Sequence, residues 1–264
     1  MMGMISPPHS IYGFAALFGV GCMVSFINSV SGGGSVLSLP LLIFLGLPSA
    51  EANGTNRLGI LLGSFGSLFG FKSQGIFLPR LAWQVGWPGA LGSLAGSFLA
   101  VRLPDRIFNP ILALVIVFVV TMTVRGQRAP SGTGDTPRLR GGWVAMGIYA
   151  AIGFYGGFIQ AGSGLIMIYA FGLLGNLDIF RINALKVFNT ILFISASLIA
   201  FALAGKVNWP MATALGLGSL IGGWSGSHWQ LRKGEAWVNR FLLCSGMAIA
   251  AKLLWDTWLV WSKA

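Results

Sequence analysis

Charge is what this sequence has least of. Of its 264 residues, 9% are Asp, Glu, Lys or Arg, where a soluble domain carries about a quarter. An ordinary soluble globule is therefore excluded. Cysteine is almost missing: Cys22 and Cys244 each sit in an apolar run. That excludes a disulfide scaffold, and the two read as small buried hydrophobes. Phosphate-loop spacing (GxxxxGK[ST]) is absent, so the chain is not expected to burn ATP. No cluster of metal ligands is visible, and no cofactor is expected. Short alternating segments, the mark of a membrane β-barrel, are lacking as well. The first residues, MMGMISPPHS, hold no Lys or Arg and no cleavage site, so the first apolar run reads as retained rather than as a removed signal.

What remains is apolar. Hydrophobic residues make up 55% of the chain and mean hydropathy is +0.78. The apolar runs cover 11–30, 33–47, 58–71, 81–101, 107–124, 142–160, 163–177, 187–204, 209–229 and 241–261. About 20 such residues cross the roughly 30 Å core of a bilayer as a helix. Several runs reach that length and several stop near 15. The fold class that follows is an all-α polytopic membrane protein with eight to ten membrane segments. The chain carries 17 Lys and Arg against 6 Asp and Glu, a formal charge of +11. Most of these cations lie between apolar runs, where they set topology and meet anionic lipid rather than nucleic acid.

One stretch is polar and poor in structure signals: GQRAPSGTGDTPRLRG at 126–141. It divides the chain into a first membrane repeat at 11–125, a linker at 126–140 and a second repeat at 141–261. A shift of 130 positions lays the first half on the second without a gap from 31 to 97. Gly32 and Gly34 fall on Gly162 and Gly164, Asn53 on Asn183, Phe71 on Phe201, Gly92 on Gly222 and Ser97 on Ser227. Each half holds a long apolar helix, a glycine break, a short apolar piece, a polar knot (AEANGTNR at 50–57; DIFRINALK at 178–186) and three further helices.

Loop charge orients the plan. Arg125, Arg128, Arg138 and Arg140 place the linker in the cytoplasm, and Arg232, Lys233 and Arg240 do the same for the loop 231–240. Whether the pair at 141–177 crosses twice or enters and returns as a hairpin, each half then crosses an odd number of times. An odd number inverts one half relative to the other, the plan of many secondary transporters. Eight spans with parallel halves stay open as an alternative. Trp143, Trp209, Trp237, Trp255, Trp258 and Trp261 lie at run boundaries, as an interfacial belt does.

These features together resemble a family. A glycine-rich break runs into a Pro-Leu-Leu piece (SGGGSVLSLPLL). A knot of the look A-x-x-x-T follows (ANGTN), then a helix closing in a glycine loop (FKSQGIF; FALAGKVNW) and a Gly-x-x-x-Gly helix, all of it duplicated. The pattern resembles the TauE/SafE family over residues 11–260. It departs in the second half, which reads GSG at 162–164 and lacks the knot threonine (INALK). The resemblance implies a transporter in the cell membrane that exports sulfite, organosulfonates or related small anions, and not an enzyme.

The residues point the same way. A helix break inside hydrocarbon survives only against protein or a wet cavity, and matched breaks in two repeats mark a central site. Gly32, Gly33, Gly34 and Ser35, with Gly162, Ser163 and Gly164, then supply helix N-termini whose amides suit an anion. Ser31, Ser35 and Ser163 add hydroxyls, and Gln160 precedes the second break. From the knots, Asn53, Asn56 and Arg57 share one helical face, as do Asn183 and Lys186. Arg57, Lys186 and Arg181 could instead snorkel to the interface, and Gly86, Gly92, Gly96, Gly222 and Gly226 read as close-packing contacts. Glu51, Asp178 and His228 are the candidates for proton coupling, with helix-start roles favoured for the two acids. Rival readings are a passive anion channel and an intramembrane hydrolase using Ser163 and His228. The expected partners are a small anion, the bilayer and a possible second copy of the chain.

Overall fold

A computed structural model of the chain describes residues 11–124 and 138–233, with 244, 247–249, 251, 252 and 255 from the C-terminal segment. Most of the linker 126–140, the end of the loop 231–240 and most of the segment 238–261 therefore lie outside the described residues. Among the described residues all regular structure is helical, apart from one isolated bridge between Leu139 and Gly175. The first half gives α1 (Ile11–Ser31), α2 (Ser35–Phe44), α3 (Ser49–Ser73), α4 (Pro79–Arg102) and α5 (Asp105–Val124). The second gives α6 (Trp143–Phe158), α7 (Ser163–Leu174), α8 (Ile179–Leu203) and α9 (Trp209–Lys233).

Local chemistry sets several of these boundaries. Pro79 opens α4 at its first position, where a missing N–H costs nothing. Asp178 caps α8: its Oδ1 accepts from the amides of Phe180 and Arg181, both at 3.0 Å. The knots at 50–57 and 178–186 fall in the opening turns of α3 and α8. Their polar side chains find partners on other helices, so nothing local prevents helix formation. Both ends of α8 lie 130 positions beyond those of α3.

Length separates two classes of helix. At 1.5 Å per residue, the 24 and 25 residues of α3, α4, α8 and α9 span roughly 36–38 Å. The 10 residues of α2 and 12 of α7 reach only about 15 and 18 Å, too short for the hydrocarbon core. By length and hydropathy α1 and α8 qualify as spans; α3, α4 and α9 have the length, with glycine and serine in place of part of the apolar stock.

Contacts fix the directions. Phe18, Cys22 and Phe26 of α1 present their carbonyls to Gly218, Gly222 and Gly226 of α9, so these two helices run parallel. In the same way Ala150 and Phe154 of α6 meet Gly92 and Gly96 of α4. Between these pairs α3 and α8 lie antiparallel: Gly54 near the start of α3 faces Phe201 near the end of α8, and Phe71 clusters with Ala184 and Val187. The α6–α7 pair enters and returns. The amide of Arg140 donates to Leu174 O at 2.8 Å and that of Asn176 to Arg138 O at 3.3 Å, so the start of α6 and the end of α7 share one level. Leu91, Phe98, Leu114, Phe118 and Ile221 are exposed on the outside, the face a bilayer covers.

The glycines read as packing contacts are packing contacts. A Cβ on Gly92 would land on the backbone of Ala150, whereas Gly147 on α6 has open space. Gly92→Leu is expected to lower the thermal midpoint of purified protein markedly, because overpacking costs about 1–3 kcal/mol or more. Gly147→Leu should leave it nearly unchanged. Equal midpoints for the two variants, measured in one detergent, would remove close α4–α6 contact as a source of stability.

Candidate functional site

The two breaks meet backbone to backbone in the centre. Gly32 (φ +78°) ends α1 and Gly162 (φ +72°) precedes α7. A left-handed turn at these points reverses the chain with no side-chain penalty. Gly32 and Gly164 lie so close that a Cβ on either would collide with the other's main chain. Ser35 ties the breaks together: its hydroxyl donates to Gln160 O at 3.4 Å and accepts from the amide of Gly162 at 3.2 Å. Gln160 itself is, among the described residues, the one non-glycine with positive φ, at 67°.

Each break exposes donors. The amides of Val36 and Leu37 turn back onto the carbonyls of Gly33 and Gly34, and that of Ser163 onto Gln160 O. Among the described residues the amides of Gly33, Gly34, Ser35 and Gly164 have no such partner. Ser29 Oγ, Ser38 Oγ, Gln160 Oε1 and Asn183 Nδ2 are buried side-chain atoms without a hydrogen-bond partner. A buried polar group left unpaired costs about 1–3 kcal/mol. Ser31 is used differently from expectation, donating to Ile27 O within its own helix at 3.0 Å.

Arg57 and Lys186 do not snorkel. Both are buried, Arg57 completely. Neither points freely into a central space, because each serves the end of a broken helix from the opposite half. The Arg57 guanidinium donates to Gly156 O at 3.3 Å, Gly157 O at 2.5 Å, Ser197 Oγ at 2.6 Å and Asn53 Oδ1 at 3.3 Å, and it lies over the Phe201 ring at 4.4 Å. Asn53 Nδ2 takes the next carbonyl of α6, Phe158 O, at 2.8 Å. Across the centre, Lys186 Nζ donates to Asn28 O at 3.0 Å, Ser29 O at 3.4 Å and Asn183 Oδ1 at 2.6 Å. The last carbonyls of a helix have no intrahelical donor and carry partial negative charge. A break creates such an end inside the membrane, and a cation from a neighbouring helix satisfies it. Arg57 Nε remains a buried donor without a hydrogen-bond partner.

Of the residues expected from sequence, the structure brings Gly32, Ser35, Gln160, Gly162, Ser163 and Gly164 into one junction, flanked by the Asn53–Arg57 and Asn183–Lys186 pairs. Asn56 is buried on α3. Ser197 and the carbonyls of Gly156 and Gly157 were not foreseen. Ser197 had a signal: it lies 130 positions beyond Ser67. The carbonyls had none, since every residue carries one. Arg181 lies outside the junction, paired with Asp178 at 3.3 Å on the surface. The described carboxylates sit at helix starts: Glu51 and Asp105 in first turns, Asp178 as a cap. His228 is half-buried, with Nδ1 2.9 Å from Trp224 O and its ring 4.6 Å from that indole. Ser163 opens α7 beside Gly156, so the hydrolase pairing finds no support in the contacts of either residue.

Comparison with known proteins gives a consistent answer. The family described as "Sulfite exporter TauE/SafE" matches residues 17–253. A "Probable membrane transporter protein" of Haemophilus influenzae is 30% identical over 250 residues, covering 92% of this chain and 94% of that protein. "Probable membrane transporter protein YfcA" of Escherichia coli K12 is 26% identical over 247 residues, 91% of this chain and 89% of its own. One from a Sinorhizobium species, "Probable membrane transporter protein ORF9", is 25% identical over 243 residues, 92% of each chain. No solved structure matches.

Proposed function

The chain belongs to the TauE/SafE family of membrane transporters, and we propose that it exports small sulfur-containing anions, such as sulfite or an organosulfonate, across the cell membrane. One observation carries the substrate class. Among the described residues the interior holds two buried cations, Arg57 and Lys186, and the carboxylates all lie at helix starts instead. Buried charge in a membrane is costly and is retained for function. Helix-end carbonyls compensate these cations in part; an oxyanion placed between the amides of Gly33, Gly34, Ser35 and Gly164 and the free Arg57 Nε completes the balance.

The mechanism we infer is alternating access at this midplane junction between inverted repeats at 11–125 and 141–261. Support comes from the antiparallel α3 and α8 at corresponding positions, and from the exchange of partners in which α1 packs on α9 and α6 on α4. The site residues are nearly inaccessible to solvent, which fits an occluded state better than an open channel. With the linker and the loop 231–240 cytoplasmic, an interior-negative potential favours anion efflux by about 2.3 kcal/mol per charge per 100 mV. No buried carboxylate is then required for coupling.

The test is thermal stabilisation of the purified protein by sulfite, sulfoacetate, taurine, sulfate and simple carboxylates. A specific ligand at a hundred times its Kd adds about 2.7 kcal/mol to the native state. A shift with sulfite or a sulfonate is expected. A response confined to carboxylates, or to cations, would overturn the substrate class. Counter-exchange of the responding anion in proteoliposomes separates a carrier from a channel.

A further inference from the structure

A basic recess lies away from the junction, where α4 begins. A recess of about 530 Å³ opens there, lined by Arg80, Gln84 and Arg138 together with Leu78, Leu81 and Leu139. An adjoining recess of about 380 Å³ shares Arg138 and Leu139 and adds Arg140 and Asn176. Three cations therefore converge on one stretch of surface. Among the described residues the neighbouring carboxylate, Asp178, is committed to Arg181 and to the α8 cap.

The segment that carries two of these arginines is held in place. The amide of Arg138 donates to Asn176 Oδ1 at 2.8 Å and that of Arg140 to Leu174 O at 2.8 Å. Gln84 Nε2 on α4 reaches Arg140 O at 3.2 Å. These bonds fix the recess as a feature of the fold. Its depth in the membrane is marked by tryptophan. Trp143 at the start of α6 and Trp83 on the first turns of α4 are both exposed, as residues at the headgroup level are.

We propose that this recess binds the phosphodiester headgroup of an anionic phospholipid, the arginines taking the phosphate oxygens and the leucines the start of the acyl chains. A free phosphate would meet a wall that is half apolar and gain nothing from it. Guanidinium groups suit phosphate oxygens, and basic pockets beside membrane helices are built to hold such lipids. The site is independent of what the central junction carries.

Full-length protein in detergent would be examined by native mass spectrometry with dioleoyl phosphatidylglycerol, dioleoyl phosphatidylcholine or inorganic phosphate. Retained phosphatidylglycerol, without retained phosphatidylcholine or phosphate, is expected. The Arg80→Gln/Arg138→Gln variant should bind phosphatidylglycerol about thirtyfold more weakly, the loss of two basic contacts. Arg102→Gln/Arg106→Gln, a basic pair elsewhere, should bind as the parent does. Unchanged binding in the first variant, equal loss in the second, or displacement by inorganic phosphate would each overturn the proposal. Should the first variant not fold, a photoreactive phosphatidylglycerol on the parent protein decides: crosslinks in 78–84 and 138–140 uphold the site, and crosslinks elsewhere refute it.

Discussion

Arg57→Ala is expected to lose most of its folded, monodisperse protein, and to lose transport with it. The substitution removes the donors that reach Gly156 O, Gly157 O and Ser197 Oγ. These acceptors are buried. Each orphaned group costs about 1–3 kcal/mol, and the sum is a large share of the 5–15 kcal/mol that holds a typical protein folded. Arg57→Lys should fall between the two, since an ammonium on a shorter stem cannot fork to two carbonyls. Arg181→Ala is the matched control. Its ion pair with Asp178 sits on the surface, with both side chains about 40% exposed, where such pairs contribute roughly 0–1 kcal/mol. Fluorescence-detected size exclusion after a heating series would read all three. An Arg57→Ala midpoint as close to the parent's as that of Arg181→Ala would show that the guanidinium does not hold the end of α6.

The second large effect is expected at the junction. Gly32→Ala should abolish transport and sharply reduce stability, while Gly75→Ala should do little. The two glycines share almost the same backbone, φ +78° and +70°, so the conformational strain of a Cβ, about 1–2 kcal/mol, is common to both. They differ in surroundings. Nothing lies within 4 Å of a Cβ at Gly75, whereas at Gly32 it would meet the carbonyl carbon of Gly164 at 2.9 Å. Main chain cannot swing aside as a side chain can, so the two breaks would have to separate. The measurement is substrate flux in proteoliposomes beside a thermal midpoint for each variant. Similar losses at both positions would mean that strain alone matters and that contact between the breaks does not.

Helix starts and glycine breaks were legible in the sequence because their causes are local. An aspartate at 178 at the start of a helix and a glycine triplet at 32–34 act within a turn or two of themselves. Residues 50–57 and 178–186 were read less well. Only faces within them were placed on a helix, yet both stretches lie in the opening turns of α3 and α8, where Asn53, Arg57 and Lys186 find carbonyls on other helices.

Composition alone determined that the chain is helical and built for a bilayer, since so few charges and such long apolar runs leave no other way to satisfy the backbone. The same sequence also carried the 130-residue correspondence and the family resemblance. Where the two buried cations go was decided only by tertiary structure. Arg57 finds α6 about a hundred positions away and Lys186 finds α1 across 158. A helix end attracts a cation through its backbone carbonyls, which no residue type announces, so only the packing of α3 and α8 between the two breaks reveals the pairing.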